Sequence, residues 1–142
     1  MPRNDAESAE TAQQMDVGNS ELSDKVLQAF HAAWRATGFG MPESMCGNAL
    51  AVELTARGIH FMREFCIEVV HLGVPIGVFR ADFVVEDAII LETKSSEATQ
   101  STDEVQLLNY LRKSRYELGF LLVFGVKPRF RRLVFSNSFK RR

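Results

Sequence analysis

Residues 118–125 read LGFLLVFG, and no other stretch narrows the possible folds so far. The run is short enough for a strand and almost entirely apolar, so neither of its faces suits water. A strand of this kind lies within a sheet that is covered on both sides. The remaining elements then have to supply helices for those faces, which is the α/β layer architecture. A chain of 142 residues is one domain by default and long enough to bury a real core.

Residues 1–19 lack periodicity, are rich in Ala, Glu, Gln and Asn, and read as a disordered acidic leader; residues 20–142 read as a single domain with a basic C-terminal end. A helix begins near Ser20, with Val26, Phe30, Ala33 and Trp34 at helical spacing and Gly38 suited to its C-terminal cap. After the tight TGFGMP connection, Pro42 fits the first turn of a second helix. Glu43 stands where the helix dipole favours a negative charge. That helix carries Met45, Ala49, Val52 and Leu54 and stops at Gly58. HFMREFCIEVV then alternates, which predicts Phe61, Arg63, Phe65, Ile67 and Val69 on one face of a strand. HLGVP supplies a turn, and IGVFRADFVV and AIILETK follow as two strands joined around Glu86 and Asp87. Thr102 can cap a helix over residues 103–114, with either Val105, Leu108 and Leu111 or Leu107 and Leu111 inward. RRLVFS makes a last, shorter strand. The order α–α–β–β–β–α–β–(β) predicts a mixed sheet between helices.

Charge and composition exclude several classes. No apolar run approaches the roughly 18 residues that span a bilayer, and the polar, acidic MPRNDAESAE start argues against a secretory signal. Cys46 and Cys66 are isolated, without a CxxC pair, and are expected as reduced, small buried hydrophobes of a cytoplasmic protein rather than zinc ligands. His31, His60 and His71 show no paired metal spacing. The net charge of −1 hides an uneven distribution. Residues 1–24 hold six acids against Arg3, whereas from Lys127 onward seven basic residues meet no acid. That end is either a polyanion contact or a solubilising tail.

The hairpin RADFVVEDAIILETKS, residues 80–95, carries the chemistry. Glu86 and Asp87 fall in its turn, where such residues are favoured for local reasons. Asp82, Glu92 and Lys94 stand where a strand would take apolar side chains, and Glu92 and Lys94 share a face. With a two-residue loop at Glu86 and Asp87, Asp82 would face Leu91 and Glu92 would point away. With an odd loop or a bulge, Asp82 pairs with Glu92. Two converging carboxylates suit a hard divalent ion such as Mg²⁺, and a nearby lysine can orient or deprotonate an attacking water. A cross-strand salt-bridge cluster would use the same residues. In QLLNY, Gln106 and Tyr110 share one helix face, as a surface pair or as polar groups beside a site.

Taken together, GFGMPESMCGNALAVELTARGI, RADFVVEDAIILETKS and QLLNYLRKSRYELGFLLVFG resemble the PD-(D/E)XK nuclease superfamily, and within it the small bacterial GxxExxY proteins, over roughly residues 24–135. The resemblance implies a restriction-endonuclease-like α-β-β-β-α-β core with a mixed central sheet flanked by helices. It makes Asp82, Glu92 and Lys94 the catalytic set, assisted by Glu43. The metal ligands would be Glu43, Asp82, Glu92 and the Thr93 carbonyl, around Mg²⁺ or Mn²⁺. Gln106 and Tyr110 match the QxxxY element of RecB-like branches. GxxExxY reads Gly40-Met41-Pro42-Glu43-Ser44-Met45-Cys46 here, so Cys46 replaces the final Tyr, and Ala81 replaces the proline before Asp82.

The implied activity is metal-dependent phosphodiester hydrolysis, of DNA rather than RNA. Gln106, Tyr110, Arg112, Lys113, Lys127, Arg129 and Arg131 would contact the nucleic acid, since phosphate contacts supply most non-specific affinity. Arg115 could extend that surface. The alternative is a catalytically silent nucleic-acid-binding or partner-docking module of the same fold, or a structural protein with a salt-bridge cluster. A homodimer would suit double-strand cleavage by so small a nuclease.

Overall fold

A computed structural model describes residues 20–95 and 101–140. The expected leader over 1–19 lies outside the described residues, as do Arg141 and Arg142. The elements run α1 (Ser20–Thr37), α2 (Glu43–Ala56), β1 (Phe61–His71), β2 (Val74–Val85), β3 (Ile89–Lys94), α3 (Ser101–Lys113), β4 (Leu118–Phe124) and β5 (Pro128–Val134), then a 3₁₀ turn at Asn137–Phe139. The five strands form one sheet in the order β1-β2-β3-β4-β5. Among the described residues only the β3–β4 pair is parallel, with α3 as the crossover helix between them. Among the described residues, no helix is long and apolar enough to cross a membrane.

β4 is buried at every one of its positions, as its apolar run requires. Its alternate residues feed two cores. Leu118, Phe120, Leu122 and Phe124 face α1 and α2, where Phe30, Leu50 and Leu54 meet them. Leu121 and Val123 face α3, whose Leu107 and Leu111 turn inward. The second of the two stripes expected for this helix is therefore the correct one; Val105 is exposed. A Cβ at Gly119 would lie 3.0 Å from Leu107 Cδ1, so this glycine lets α3 settle on the sheet.

Several expectations need correction. The buried stripe of α2 is Cys46, Leu50 and Leu54, at i, i+4 and i+8, while Met45 and Val52 are exposed. The helix has apolar residues on every side, so spacing alone did not fix its phase. Pro42 is the N-cap of α2 rather than part of its first turn. Thr102 lies inside α3, which begins at Ser101, and so is not its cap. Cys46 is buried as expected, but Cys66 is exposed.

β1 and β2 form a long ribbon whose faces change sides. Phe61 packs with Phe83 against the α1/α2 core, yet Phe65 and Ile67, in alternation with it, pack in the α3 core. Between Phe61 and Phe65 lies Glu64, at φ +50, a left-handed conformation uncommon in any residue but glycine. The ribbon turns there, so the side chains expected on one face separate: Phe61 joins one core, Phe65 and Ile67 the other, and Arg63 is exposed. Beyond that point the ribbon is largely exposed.

Candidate active site

The hairpin loop decides whether the acids can meet. Ala88 N–H donates to Val85 O at 2.9 Å around Glu86 and Asp87, both with positive φ. The ladder nevertheless pairs Val85 with Ile89, Val84 with Ile90 and Phe83 with Leu91, so three residues lie between the paired strands. The loop is odd. One step further along this register, Asp82 stands opposite Glu92.

Pairing between β2 and β3 stops at Phe83. β2 then departs with β1, and Asp82 sits at the fork. Its carboxylate occupies the gap: Oδ2 accepts the Thr93 amide at 2.8 Å and the Thr93 hydroxyl at 3.2 Å. On β3, Ile90 belongs to the α3 core, so the alternating Glu92 and Lys94 also face α3.

Glu92 is the most perturbed group of the site. Burial, with the Asp82 charge and hydrogen bond added and Lys94 opposing, pushes its carboxyl up to about 9. Its Oε1 is buried and has no hydrogen-bond partner among the described residues. An unpartnered, buried carboxylate oxygen beside a second carboxylate is costly unless a proton or a cation compensates it. A divalent cation therefore fits this donor set: Asp82 and Glu92 are the hard oxygen donors that such an ion takes.

Lys94 Nζ lies 3.7 Å from Asp103 Oδ1, in the first turn of α3. Gln106 Nε2 donates to the Tyr110 hydroxyl. Burial raises the Tyr110 pKa, Gln106 opposes this, and the charges of Glu92, Lys94 and Asp82 all act on the hydroxyl. The QxxxY pair thus stands within electrostatic reach of the acids. The Tyr110 ring stacks on Phe79 at 3.9 Å between centroids and 6° between planes.

The structure therefore brings together Asp82, Glu92, Thr93, Lys94, Gln106 and Tyr110. It does not bring Glu43 to them. Among the described residues, no three acidic, histidine or cysteine side chains form a group that could hold a metal. Glu43 is exposed at the start of α2, and α2 packs on the opposite face of the sheet from α3. The Cys46 thiol that replaces the motif Tyr is on that layer too, its pKa pushed up by burial.

Among the cations, Arg129 and Arg131 pair across β5 with Val123 and Leu121, which places both on the α3 face with Glu92 and Lys94. Arg131 Nε is 2.6 Å from Glu104 Oε1. Arg112 lies over the Phe135 ring, 5.1 Å from its centroid. Lys113 is exposed at the end of α3, and Lys127 is exposed before β5.

Sequence reasoning missed two residues here. Asp103 figured only as the first residue of the expected helix, and nothing in the chain ties it to Lys94. Phe79 looked like one more strand residue, although it lies three positions before Asp82. The turn acids also do more than turn. Glu86 Oε1 accepts the His60 amide at 2.6 Å, and Asp87 accepts from the Tyr116 hydroxyl at 2.8 Å and from Arg115.

A five-stranded mixed sheet between helices, with two acids and a lysine at a strand fork, defines the restriction-endonuclease-like class of α/β proteins. The family model of the PD-(D/E)XK nuclease superfamily matches residues 20–133, and the chain belongs to that superfamily. Nucleases of this superfamily generally use divalent metal ions. No curated protein and no solved structure gives a significant match.

Proposed function

We propose that the protein is a divalent-metal-dependent nuclease, acting on DNA in preference to RNA. The observation that carries this reading is the Asp82–Glu92 pair, with Glu92 Oε1 buried and unpartnered. Asp82, Glu92 and the Thr93 carbonyl are the groups that would hold Mg²⁺ or Mn²⁺. Such an ion supplies Lewis acidity and charge neutralisation at the phosphate.

The chain's own residues do the rest. Asp82, fixed by the Thr93 amide and hydroxyl, keeps its orientation at the fork. Lys94, steadied by Asp103, orients the attacking water and offsets charge developing on the phosphoryl oxygens. Gln106 and Tyr110 offer donors to the phosphate backbone beside the acids, and Arg129 and Arg131 continue the cationic surface along the same face. Residues 20–142 act as one domain. The free thiols Cys46 and Cys66 suit the reducing cytoplasm. The narrower likeness to the GxxExxY proteins rests on the Gly40 and Glu43 positions and is weakened by Cys46.

The test is cleavage of plasmid DNA and of matched RNA with Mg²⁺ or Mn²⁺, comparing wild type with Asp82→Ala and Lys94→Ala. Wild type should cut DNA, and each variant should lose about a hundredfold or more in rate. Equal rates in all three proteins would overturn the assignment.

A second reading is a silent nucleic-acid-binding module of the same fold, favoured by the Lys94–Asp103 ion pair and by Cys46 in place of the motif Tyr. It predicts DNA binding without Mn²⁺ uptake that depends on Asp82 and Glu92.

A further inference from the structure

The β1–β2 ribbon changes faces at a single cross-strand position, and Asp82 stands at it. On β1, Phe61 packs against the α1/α2 core and Arg63 donates to Asn48 of α2, whereas Phe65 and Ile67 pack in the α3 core. On β2, Phe83 and Val85 belong to the α1/α2 core, whereas Phe79 and Ala81 pack in the α3 core. The two strands keep one register through the change: Arg63 pairs with Phe83, and Phe65 with Ala81. Both strands therefore switch between the same two rungs, and the rung between those two sets Glu64 opposite Asp82. Glu64 has φ +50, whereas the other described non-glycine residues with positive φ, Leu72, Glu86 and Asp87, lie outside the strands. Left-handed backbone inside a strand is uncommon for such a residue, and it persists only where the surrounding structure holds it.

We propose that Glu64 is a positioning residue of the acid site: its left-handed backbone turns the ribbon at Asp82 and so directs that carboxylate into the gap beside β3. In a regular strand side chains alternate between faces, and Asp82 would share the α3 face with Val84. β2 would also go on pairing with β3 beyond Phe83. The turn prevents both. It carries β2 away from β3 and takes position 82 out of the alternation. Oδ2 then reaches the Thr93 amide, which an unbroken ladder would pair with a backbone carbonyl. Held there, the carboxylate lies beside Glu92. The backbone of Glu64 carries this role, and its side chain does not. The Glu64 carboxylate is 71% exposed and lies 3.8 Å from Arg80 Nη1, an exposed ion pair of the kind that contributes little. Any residue that accepts left-handed backbone should therefore serve in its place. The placement of Asp82 stands on this geometry alone, and only its consequence for metal binding rests on the nuclease reading.

The test is a series at position 64 in the full chain. Glu64→Gly and Glu64→Asn accept left-handed backbone, whereas the branched side chain of Glu64→Val opposes it. Amide hydrogen exchange, followed by NMR without metal, should find Thr93 protected in wild type, Glu64→Gly and Glu64→Asn. In Glu64→Val it should exchange about tenfold or more faster relative to Leu121 of β4. The Mn²⁺ dissociation constant from calorimetry should stay within about threefold of wild type for Glu64→Gly and Glu64→Asn and rise about tenfold or more for Glu64→Val. Glu64→Gly should also melt no lower than wild type, which tests the proposal even where Glu64→Val does not fold. A wild type that takes up no Mn²⁺ would overturn the nuclease reading, and the exchange series would still decide this inference. Thr93 protection equal in all four proteins would overturn it, as would a Glu64→Gly variant that melts below wild type. Loss of Thr93 protection in Glu64→Gly and Glu64→Asn as well as Glu64→Val would assign the role to the carboxylate and overturn it too.

Discussion

Asp82 stands opposite Glu92 because the hairpin between them has three loop residues, and Asp82 is held there by the Thr93 amide it accepts at 2.8 Å. The same carboxylate thus has a structural and a chemical task, and two substitutions separate them. Asp82→Ala leaves the Thr93 amide without its acceptor in a residue only 4% exposed, which should cost about 1–3 kcal/mol in chemical denaturation. Asp82→Asn keeps an acceptor there and should stay within about 1 kcal/mol of wild type. Both should abolish Mn²⁺ uptake in calorimetry, whereas Glu43→Gln, on the layer across the sheet, should leave it unchanged. Retained uptake in Asp82→Asn would remove Asp82 from the metal set.

The raised Glu92 pKa gives a pH signature. In the unfolded chain the group ionises near 4.5, and in the folded protein near 9. Below 4.5 both states hold the proton and the contribution to stability is fully present. Between the two values only the folded state holds it, so metal-free stability should fall as pH rises, by up to about 1.4 kcal/mol per unit, until the contribution is lost near 9. Glu92→Gln should flatten that slope and raise the melting temperature at pH 8. Cation binding at neutral pH should expel about one proton, read from calorimetry in two buffers of different ionisation enthalpy. Uptake that releases no proton would mean that Glu92 is not a ligand.

Element order and the placement of the acids were legible because they rest on local signals: the apolar run of β4, the glycines and prolines between elements, and the parity of the hairpin. Parity left two outcomes open, and Ala88, unpaired in the loop, decided between them. What was not legible depends on tertiary contact or on backbone strain. The φ of +50 at Glu64 has no glycine to announce it, so Phe61 and Phe65 looked like neighbours on one face. Cys66 was expected inside because cysteines usually are, but it lies on the ribbon after that turn. The Lys94–Asp103 and Phe79–Tyr110 pairs join separate elements, and spacing along the chain carries no trace of them.

Tyr110 has a ring that packs and a hydroxyl that faces the acids, and these can be tested apart. Tyr110→Phe keeps the stack on Phe79 and should melt like wild type. It removes the hydroxyl that takes the Gln106 amide, and cleavage should fall about tenfold or more. Tyr110→Ala loses the ring as well. Because the residue is only partly buried, its cost should be roughly 2 kcal/mol, below the range for a fully buried aromatic. Unchanged cleavage in Tyr110→Phe would assign the residue to packing alone.

Arg129 and Arg131 share the α3 face with the acids, and a phosphate backbone crossing the site would meet them in turn. Each phosphate contact contributes about 0.9 to the slope of log affinity against log salt concentration. Arg129→Gln and Arg131→Gln should therefore each weaken DNA binding across sequences and flatten that slope by about 1. Arg131 is also paired with Glu104, which competes with a phosphate for the same guanidinium. Glu104→Gln should then tighten binding, most of all at low salt, where the competition between charges is least screened. Fluorescence anisotropy with a labelled duplex over a salt series reads all three variants. Slopes indistinguishable from wild type would return the basic end of the chain to a solubilising role.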